Sequence, residues 1–100
     1  MKRARIVAPA RHEFLAGIAY EDGKESGLGR RFVAAVEEAR RRALAFPLAG
    51  SLGPHDTCRV FMRDFPFAIV YRPDEGGIVI FAIAHHARHP AYWQSRVQDR

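Results

Sequence analysis

The sequence contains a single cysteine, Cys58, so no disulfide bond can form within the chain. Cys58 lies in an apolar run and is interpreted as a small buried residue rather than a nucleophile. Long apolar runs are also missing: no window approaches the roughly 20 apolar residues of a membrane span, and the basic start, MKRARIVAPARHEFL, is not typical of a signal peptide or an anchor. We therefore expect a protein of a reducing compartment, the cytoplasm, without a membrane partner.

Acidic residues are absent from Gly76 to Gln98. Within this stretch, residues 82–96 (AIAHHARHPAYWQSR) contain three histidines, two arginines and the only tryptophan of the chain. The whole chain carries a formal net charge of +5 and has a pI of about 10.1. This imbalance favours an anionic partner, such as nucleic acid or an acidic protein segment, but charge alone does not choose between them.

The length of 100 residues predicts one domain, residues 1–100. Apolar residues make up 48% of the chain and charged residues 27%, which is typical of a folded protein. Apolar periodicity and turn residues predict a strand, two helices and three strands, over residues 3–7, 10–24, 28–46, 57–64, 67–72 and 77–84. The predicted fold is therefore α+β with two layers, β-α-α-β-β-β, in which a helical hairpin packs on a four-stranded, mainly antiparallel sheet. Because two helices return the chain to the end of the sheet where the first strand stops, we expect the second strand to run antiparallel to the first.

The last predicted strand is apolar on both faces. Strict alternation divides its side chains into two sets: Ile78, Ile80, Ala82 and Ala84 on one face, and Val79, Phe81 and Ile83 on the other. The helical hairpin can cover only one face, and a solvated face of an antiparallel sheet normally alternates apolar and polar residues. The second face must therefore be covered by the tail, PAYWQSRV, or by a partner protein. We expect Trp93 to pack onto this face and Arg88, His89 and Arg96 to lie on the surface.

Three segments resemble the RelE/ParE toxins of type II toxin–antitoxin systems: AFP (45–47) at the end of the second helix, RVFMRDFPFAIVYR (59–72) and IVIFAIAHHARHPAYW (78–93). The resemblance covers essentially the whole chain. The tail is more similar to the ParE-like branch, whose members are often called plasmid-stabilisation proteins, than to the mRNA-cleaving members. The resemblance implies a small basic toxin that is neutralised by a separately encoded antitoxin, ParD- or RelB-like, whose flexible segment wraps around it. It also implies one of two targets, which are DNA gyrase for ParE-type toxins and mRNA in the ribosome for RelE-type toxins.

Cleavage of RNA would require a base for the 2′-hydroxyl, an acid for the leaving 5′-oxygen and cations for the extra phosphate charge. By resemblance to RelE-type nucleases, the candidates are Arg59, Arg63, His85, His86 and Tyr92. Arg59 and Arg63 are an even number of residues apart, so we expect their side chains to share one face of the sheet. His85 and His86 point in opposite directions, so at most one of them faces that site. No glutamate lies between residues 57 and 74 to act as the base, which weighs against cleavage.

A ParE-type toxin acts on its topoisomerase by binding, so it needs a recognition surface and no catalytic residues. The candidates for contacts with the target or a partner are Arg63, Arg88, His89, Tyr92 and Arg96. Tyrosine and arginine are residue types enriched at binding hot spots. We favour this interpretation, with no catalytic residue and DNA gyrase as the target. Ribosome-dependent mRNA cleavage is the alternative, and a non-toxic basic binding module is a further one.

We expect neither a metal site nor a cofactor. His85 and His89 are four residues apart, but they flank the end of a strand, Pro90 follows at once, and no helix holds them on one face. The sequence also has no helix-turn-helix, zinc-finger or RNA-binding aromatic motif. Contact with operator DNA is therefore expected only through the antitoxin.

Overall fold

The computed structural model describes residues 2–98 of the chain. Its helices and strands follow in the order β1 (Arg3–Ile6), α1 (Ala8–Lys24), α2 (Leu28–Ala45), β2 (Ser51–Leu52), β3 (Cys58–Phe61), β4 (Phe67–Asp74), β5 (Gly77–His85) and α3 (Gln94–Gln98). A 3₁₀ turn, Pro54–Asp56, precedes β3. The predicted α+β class, with a helical hairpin followed by a meander of strands, is confirmed. Within the described range, no helix has the length and apolar character needed to cross a membrane.

The sheet has five strands in the order β1-β5-β4-β3-β2, one more than predicted. β1 pairs in parallel with β5, and the other neighbours are antiparallel. β3 therefore runs parallel to β1, and the prediction that these two strands are antiparallel is wrong. The reason is β2, a two-residue edge strand inside the segment predicted to be a loop. β2 takes the antiparallel direction, and the 3₁₀ turn then reverses the chain again before β3.

The helical hairpin packs an apolar face against the sheet. The apolar repeat of α2 predicts a buried face of Phe32, Val36, Ala39, Ala43 and Phe46, and the first four are buried. Phe46, which follows the last residue of the helix, is 69% exposed, so that part of the prediction is wrong. The Phe32 ring meets the rings of Phe65 and Phe67 edge-on, with centroids 5.4 and 5.1 Å away. From α1, Phe14 adds to this core, whereas its neighbour Leu15 is 55% exposed. The face of the sheet under the hairpin is the inner face, and the opposite one is the outer face.

A β-bulge between β4 and β5 changes which residues of β5 reach each face. Val70 pairs with Ala82 and the next residue of β4 pairs with Ile80, which leaves Phe81 as the extra residue. Ile83 therefore joins Ile80 in the core under the hairpin, whereas Ala82 joins Phe81 on the outer face. The strict alternation predicted for this strand is wrong from Ala82 onward, because one extra residue exchanges the faces of all that follow.

Candidate functional site

The tail of the chain covers the outer face of the sheet, which is one of the two alternatives that the doubly apolar last strand left open. Trp93 and Val97 are 3% and 5% exposed and form one apolar cluster with Val70 and Phe81. Trp93 is therefore a core residue, as predicted. Between the end of β5 and α3, residues 86–93 form the C-terminal turn. This turn carries most of the residues that the sequence suggested for contacts.

The carboxylate of Glu13, on α1, ties this tail to the sheet. It forms an ion pair with Arg96, whose terminal nitrogens lie 3.0 and 3.1 Å from its oxygens. It also accepts hydrogen bonds from the Tyr92 hydroxyl at 2.7 Å and from the backbone N–H of Ile83 at 3.0 Å. Arg96 donates in addition to the carbonyl of Phe81 at 2.9 Å. The Arg96 side chain is only 18% exposed, and its guanidinium binds groups within the fold. The prediction that Arg96 is a surface cation is therefore wrong.

Burial raises the pKa of the Tyr92 phenol well above its usual value, and the hydrogen bond to Glu13 raises it further. A phenol that stays neutral and donates a hydrogen bond to a carboxylate is poorly placed to act as an acid or a base toward RNA. The ring of Tyr92 instead faces two cations. The guanidinium carbons of Arg88 and Arg96 lie 3.9 and 5.1 Å from its centroid. Tyr92 therefore links the Glu13–Arg96 pair to Arg88.

The raised pKa makes stability depend on pH in the alkaline range. An unfolded tyrosine ionises near pH 10, whereas folded Tyr92 keeps its proton at that pH. Below about pH 10, Tyr92 therefore leaves the stability of the fold unchanged. Above it, ionisation favours the unfolded chain, so stability falls as the pH rises. We expect the absorbance of the folded protein at 295 nm to report fewer ionised phenols at pH 10.5 than that of the protein in guanidinium. Tyr71, buried beneath the hairpin, also has a raised pKa, caused mainly by burial.

The variant Tyr92→Phe separates these two phenols. It should lose one late-ionising group from the native titration and leave the contribution of Tyr71 in place. Identical titration curves for the folded and unfolded parent would contradict a buried, hydrogen-bonded Tyr92.

A small basic groove runs along the outer face beside the C-terminal turn. It encloses about 120 Å³, and its floor is formed by small and apolar side chains: Ala68, Val70 and Ala84. Five arginine or histidine residues also line it: Arg59, His85, His86, Arg88 and His89. Of these, His85 turns its ring away, toward Phe67. No carboxylate lines this groove among residues 2–98. The charge of its lining suits an anionic group on a partner.

Arg63 does not reach the basic groove. β3 ends at Phe61, and Arg63 lies in the turn beyond it on the side of α2, with Nε 3.9 Å from the Glu38 carboxylate. The prediction that Arg63 shares a sheet face with Arg59 is wrong, because even spacing specifies a face only while the strand continues. A hydrogen bond from Arg42 lowers the pKa of Glu38, so this carboxylate remains a negative neighbour for Arg63.

The histidines at the end of β5 point in opposite directions, as predicted. His85 is half-buried and meets the ring of Phe67 edge-on, with centroids 5.0 Å apart, whereas exposed His86 meets Phe61 at 5.6 Å. His85 and His89 each accept a hydrogen bond at Nδ1 from the backbone N–H two residues later, at 2.9 and 3.1 Å. These imidazoles therefore shape the backbone of the turn. Within residues 2–98, no group of three or more His, Cys, Asp or Glu side chains is placed to hold a metal ion.

Reasoning from the sequence missed Glu13. This residue lies 83 positions before Arg96 and 79 before Tyr92, and no local spacing connects them. One signal was available. An arginine carried onto an apolar sheet face needs a carboxylate, because a buried unpaired charge is costly, and the acid-free tail has none to offer. Glu13 is the first acidic residue of the chain.

One family of known proteins matches the chain. The family model described as "ParE toxin of type II toxin-antitoxin system, parDE" matches residues 12–90. This match includes most of α1, all of α2, strands β2 to β5 and much of the C-terminal turn. No curated protein compared with the chain matches it. A match over this share of the chain shows the family. The chain belongs to the ParE toxins of type II toxin–antitoxin systems.

Proposed function

We propose that this toxin acts in the cytoplasm by binding DNA gyrase, without catalysis, and that a ParD-like antitoxin neutralises it. The observation that carries the proposal is that two of the five candidates for RNA cleavage are not available at the groove that the other three line. Arg63 lies on the side of α2 near Glu38, and the Tyr92 phenol is hydrogen-bonded to Glu13. A nuclease needs such groups around a single phosphate, whereas a binding toxin needs none of them.

The C-terminal turn supplies a surface that suits the binding role. Arg88 and His89 are exposed at its tip, and Arg59 and the 47% exposed ring of Phe61 lie next to it on the outer face. Arginine and aromatic rings are typical of binding hot spots. Because no acid lies between residues 76 and 98, the surface attracts acidic partners and steers them during encounter.

For the antitoxin, we propose a contact on the helical hairpin. A broad groove of about 910 Å³ crosses its solvent side, with Ile18, Ala19, Val33 and Ala34 among its lining. Arg30 and Arg31 stand at the same groove. An amphipathic segment with an apolar stripe and acidic flanks would complement it. Operator DNA would then be reached only through the antitoxin, since nothing in residues 2–98 forms a DNA-reading motif.

A RelE-like ribonuclease is the second candidate, and one observation favours it. Arg59, His86 and Arg88 line the same groove, so a phosphate placed there would meet two cations and an imidazole. The groove has no partner for the imidazole and no carboxylate base. Cleavage would therefore depend on the two arginines and His86, and loss of Arg59 would lower the rate by about 100-fold or more.

The two functions are separated by measuring products for matched arginine variants. We expect the purified parent to inhibit supercoiling by gyrase and to leave mRNA intact on ribosomes. The double variant Arg88→Ala/His89→Ala should raise the inhibitory concentration about 30-fold, the loss expected for a hot spot of about 2 kcal/mol. Arg63→Ala, the same change at an exposed arginine outside the turn, should stay within about threefold, as expected for a residue outside the hot spot. Inhibition by the parent should also weaken as salt is raised.

Folding of each variant is checked by thermal melting before activity is compared. A folded Arg59→Ala protein that is harmless to cells, together with mRNA cleaved on ribosomes by the parent, would show that RNA is the target. Gyrase that keeps its full activity with saturating parent toxin would also exclude the proposed target.

A further inference from the structure

We infer that Glu13 is the positioning residue of the target-binding turn. In this role it does not touch the target. It holds Tyr92 and Arg96, and through the ring of Tyr92 it fixes where the guanidinium of Arg88 stands. The inference rests on the proposed function, because it concerns the surface that meets the target.

β1 is shorter than β5 and leaves part of one edge of β5 uncovered. The last hydrogen bond between these strands runs from the N–H of Val7 to the carbonyl of Ile80, at 3.1 Å. β5 continues beyond it, and its next edge groups have no strand beside them. Glu13 accepts the N–H of Ile83, and its partner Arg96 donates to a carbonyl of the same edge. Since an unpaired backbone group is costly when buried, the ion pair replaces the missing strand.

The same carboxylate reaches the exposed side of the turn. Its second oxygen accepts the Tyr92 hydroxyl at 2.7 Å, and the Arg88 guanidinium stacks on that ring, 3.9 Å from the centroid. Arg88 itself is exposed, so this ring orients an otherwise mobile side chain. A change at Glu13 therefore moves Arg88 without contacting it.

A second anchor makes positioning separable from folding. Trp93 and Val97 hold the tail on the outer face by apolar contacts in which Glu13 takes no part. Without the carboxylate, the side of the turn that carries Tyr92 and Arg88 should loosen while the core stays folded. The affinity is then proportional to the fraction of molecules whose turn keeps the binding geometry. If that fraction is one tenth, the affinity falls about tenfold.

The test is a double-mutant cycle with a control for charge. Glu13→Ala, Arg88→Ala and the double variant are compared with the parent, well below the lowest melting temperature. Glu25→Ala removes the same charge from the exposed end of α1 and should behave as the parent does. Growth inhibition and gyrase inhibition report function, and acrylamide quenching of Trp93, the only tryptophan, reports loosening of the turn beside Tyr92.

We expect Glu13→Ala to be folded, about tenfold weaker as an inhibitor and more strongly quenched at Trp93. Adding Arg88→Ala to Glu13→Ala should reduce inhibition much less than Arg88→Ala reduces inhibition by the parent. The reason is that Arg88 is already displaced when Glu13 is lost. Inhibition by Glu13→Gln should lie between that of the parent and that of Glu13→Ala, since the amide oxygen still accepts a hydrogen bond.

Two results would overturn the inference. One is that the effects of Glu13→Ala and Arg88→Ala multiply, so that the residues act independently. The other is that Glu13→Ala changes neither growth inhibition nor quenching. If the parent does not inhibit gyrase, the proposed target fails, and growth inhibition together with Trp93 quenching still decides the role of Glu13.

Discussion

Replacing Trp93 with alanine should destabilise the fold by about 3–5 kcal/mol, the usual cost of deleting a buried aromatic side chain. Trp93 is 3% exposed and lies at the centre of the apolar cluster on the outer face, with Val70, Phe81, Ala82 and Val97. Its loss would open a cavity under the tail and expose the second face of β5. A domain of this size has only about 5–15 kcal/mol of stability, so the variant should melt far below the parent and lose toxicity by unfolding.

The effect is measured by chemical and thermal unfolding followed by circular dichroism. Tyr20→Ala is a suitable control, because it removes an aromatic side chain that is 63% exposed on α1. This control should melt close to the parent. If Trp93→Ala melted with the parent but were harmless to cells, Trp93 would have to contact the target directly, and the packing described for the tail would be wrong.

Gly77→Ala should be nearly as damaging, through the backbone rather than the core. Gly77 has φ 138°, a conformation that residues with a side chain rarely adopt. It also pairs with Arg3 where β1 begins to run along β5. A Cβ there would overlap the carbonyl oxygen of Arg3 and lie 2.7 Å from its nitrogen. Strain and overlap together should cost at least about 3 kcal/mol and weaken the pairing of β1 with β5.

The neighbouring glycine provides the matched control. A Cβ on Gly76 would have only Asp74 nearby, with Oδ1 at an ordinary 3.8 Å. Gly76→Ala should therefore change the free energy of unfolding by no more than about 0.5 kcal/mol. Hydrogen exchange at the amides of β1 should accelerate in Gly77→Ala and remain slow in Gly76→Ala. Equal stabilities for the two variants would contradict the close approach of β1 and β5.

Local pattern was enough to predict the two long helices and the long strands, but not the short helix α3. In α2, the spacing of Phe32, Val36, Ala39 and Ala43 identified the buried face, because helical periodicity is a property of neighbouring residues. The apolar character of β5 on both faces also predicted that something must cover the outer face. That requirement follows from the cost of exposing apolar surface and does not depend on which segment provides the cover.

Local pattern failed where a single residue alters the geometry of a strand. The bulge at Phe81 moved Ile83 to the inner face and Ala82 to the outer face, against strict alternation. The early end of β3 placed Arg63 beside Glu38 rather than beside Arg59. In both cases the periodicity is regular in the sequence, and the interruption comes from pairing with a neighbouring strand.

The sequence alone predicted a small basic α+β domain with an acid-free, aromatic tail, since composition and periodicity are local properties, and its resemblance to RelE/ParE toxins implied the role. Only the tertiary structure decided which tail residues stay exposed. Glu13 and Arg96 are 83 positions apart, and they meet because β1 stops short along β5 and leaves backbone groups that need partners. The resulting ion pair turns Arg96 and Tyr92 inward and leaves Arg88 and His89 exposed. A pairing across such a distance depends on how the sheet edge is completed, which no spacing in the chain encodes.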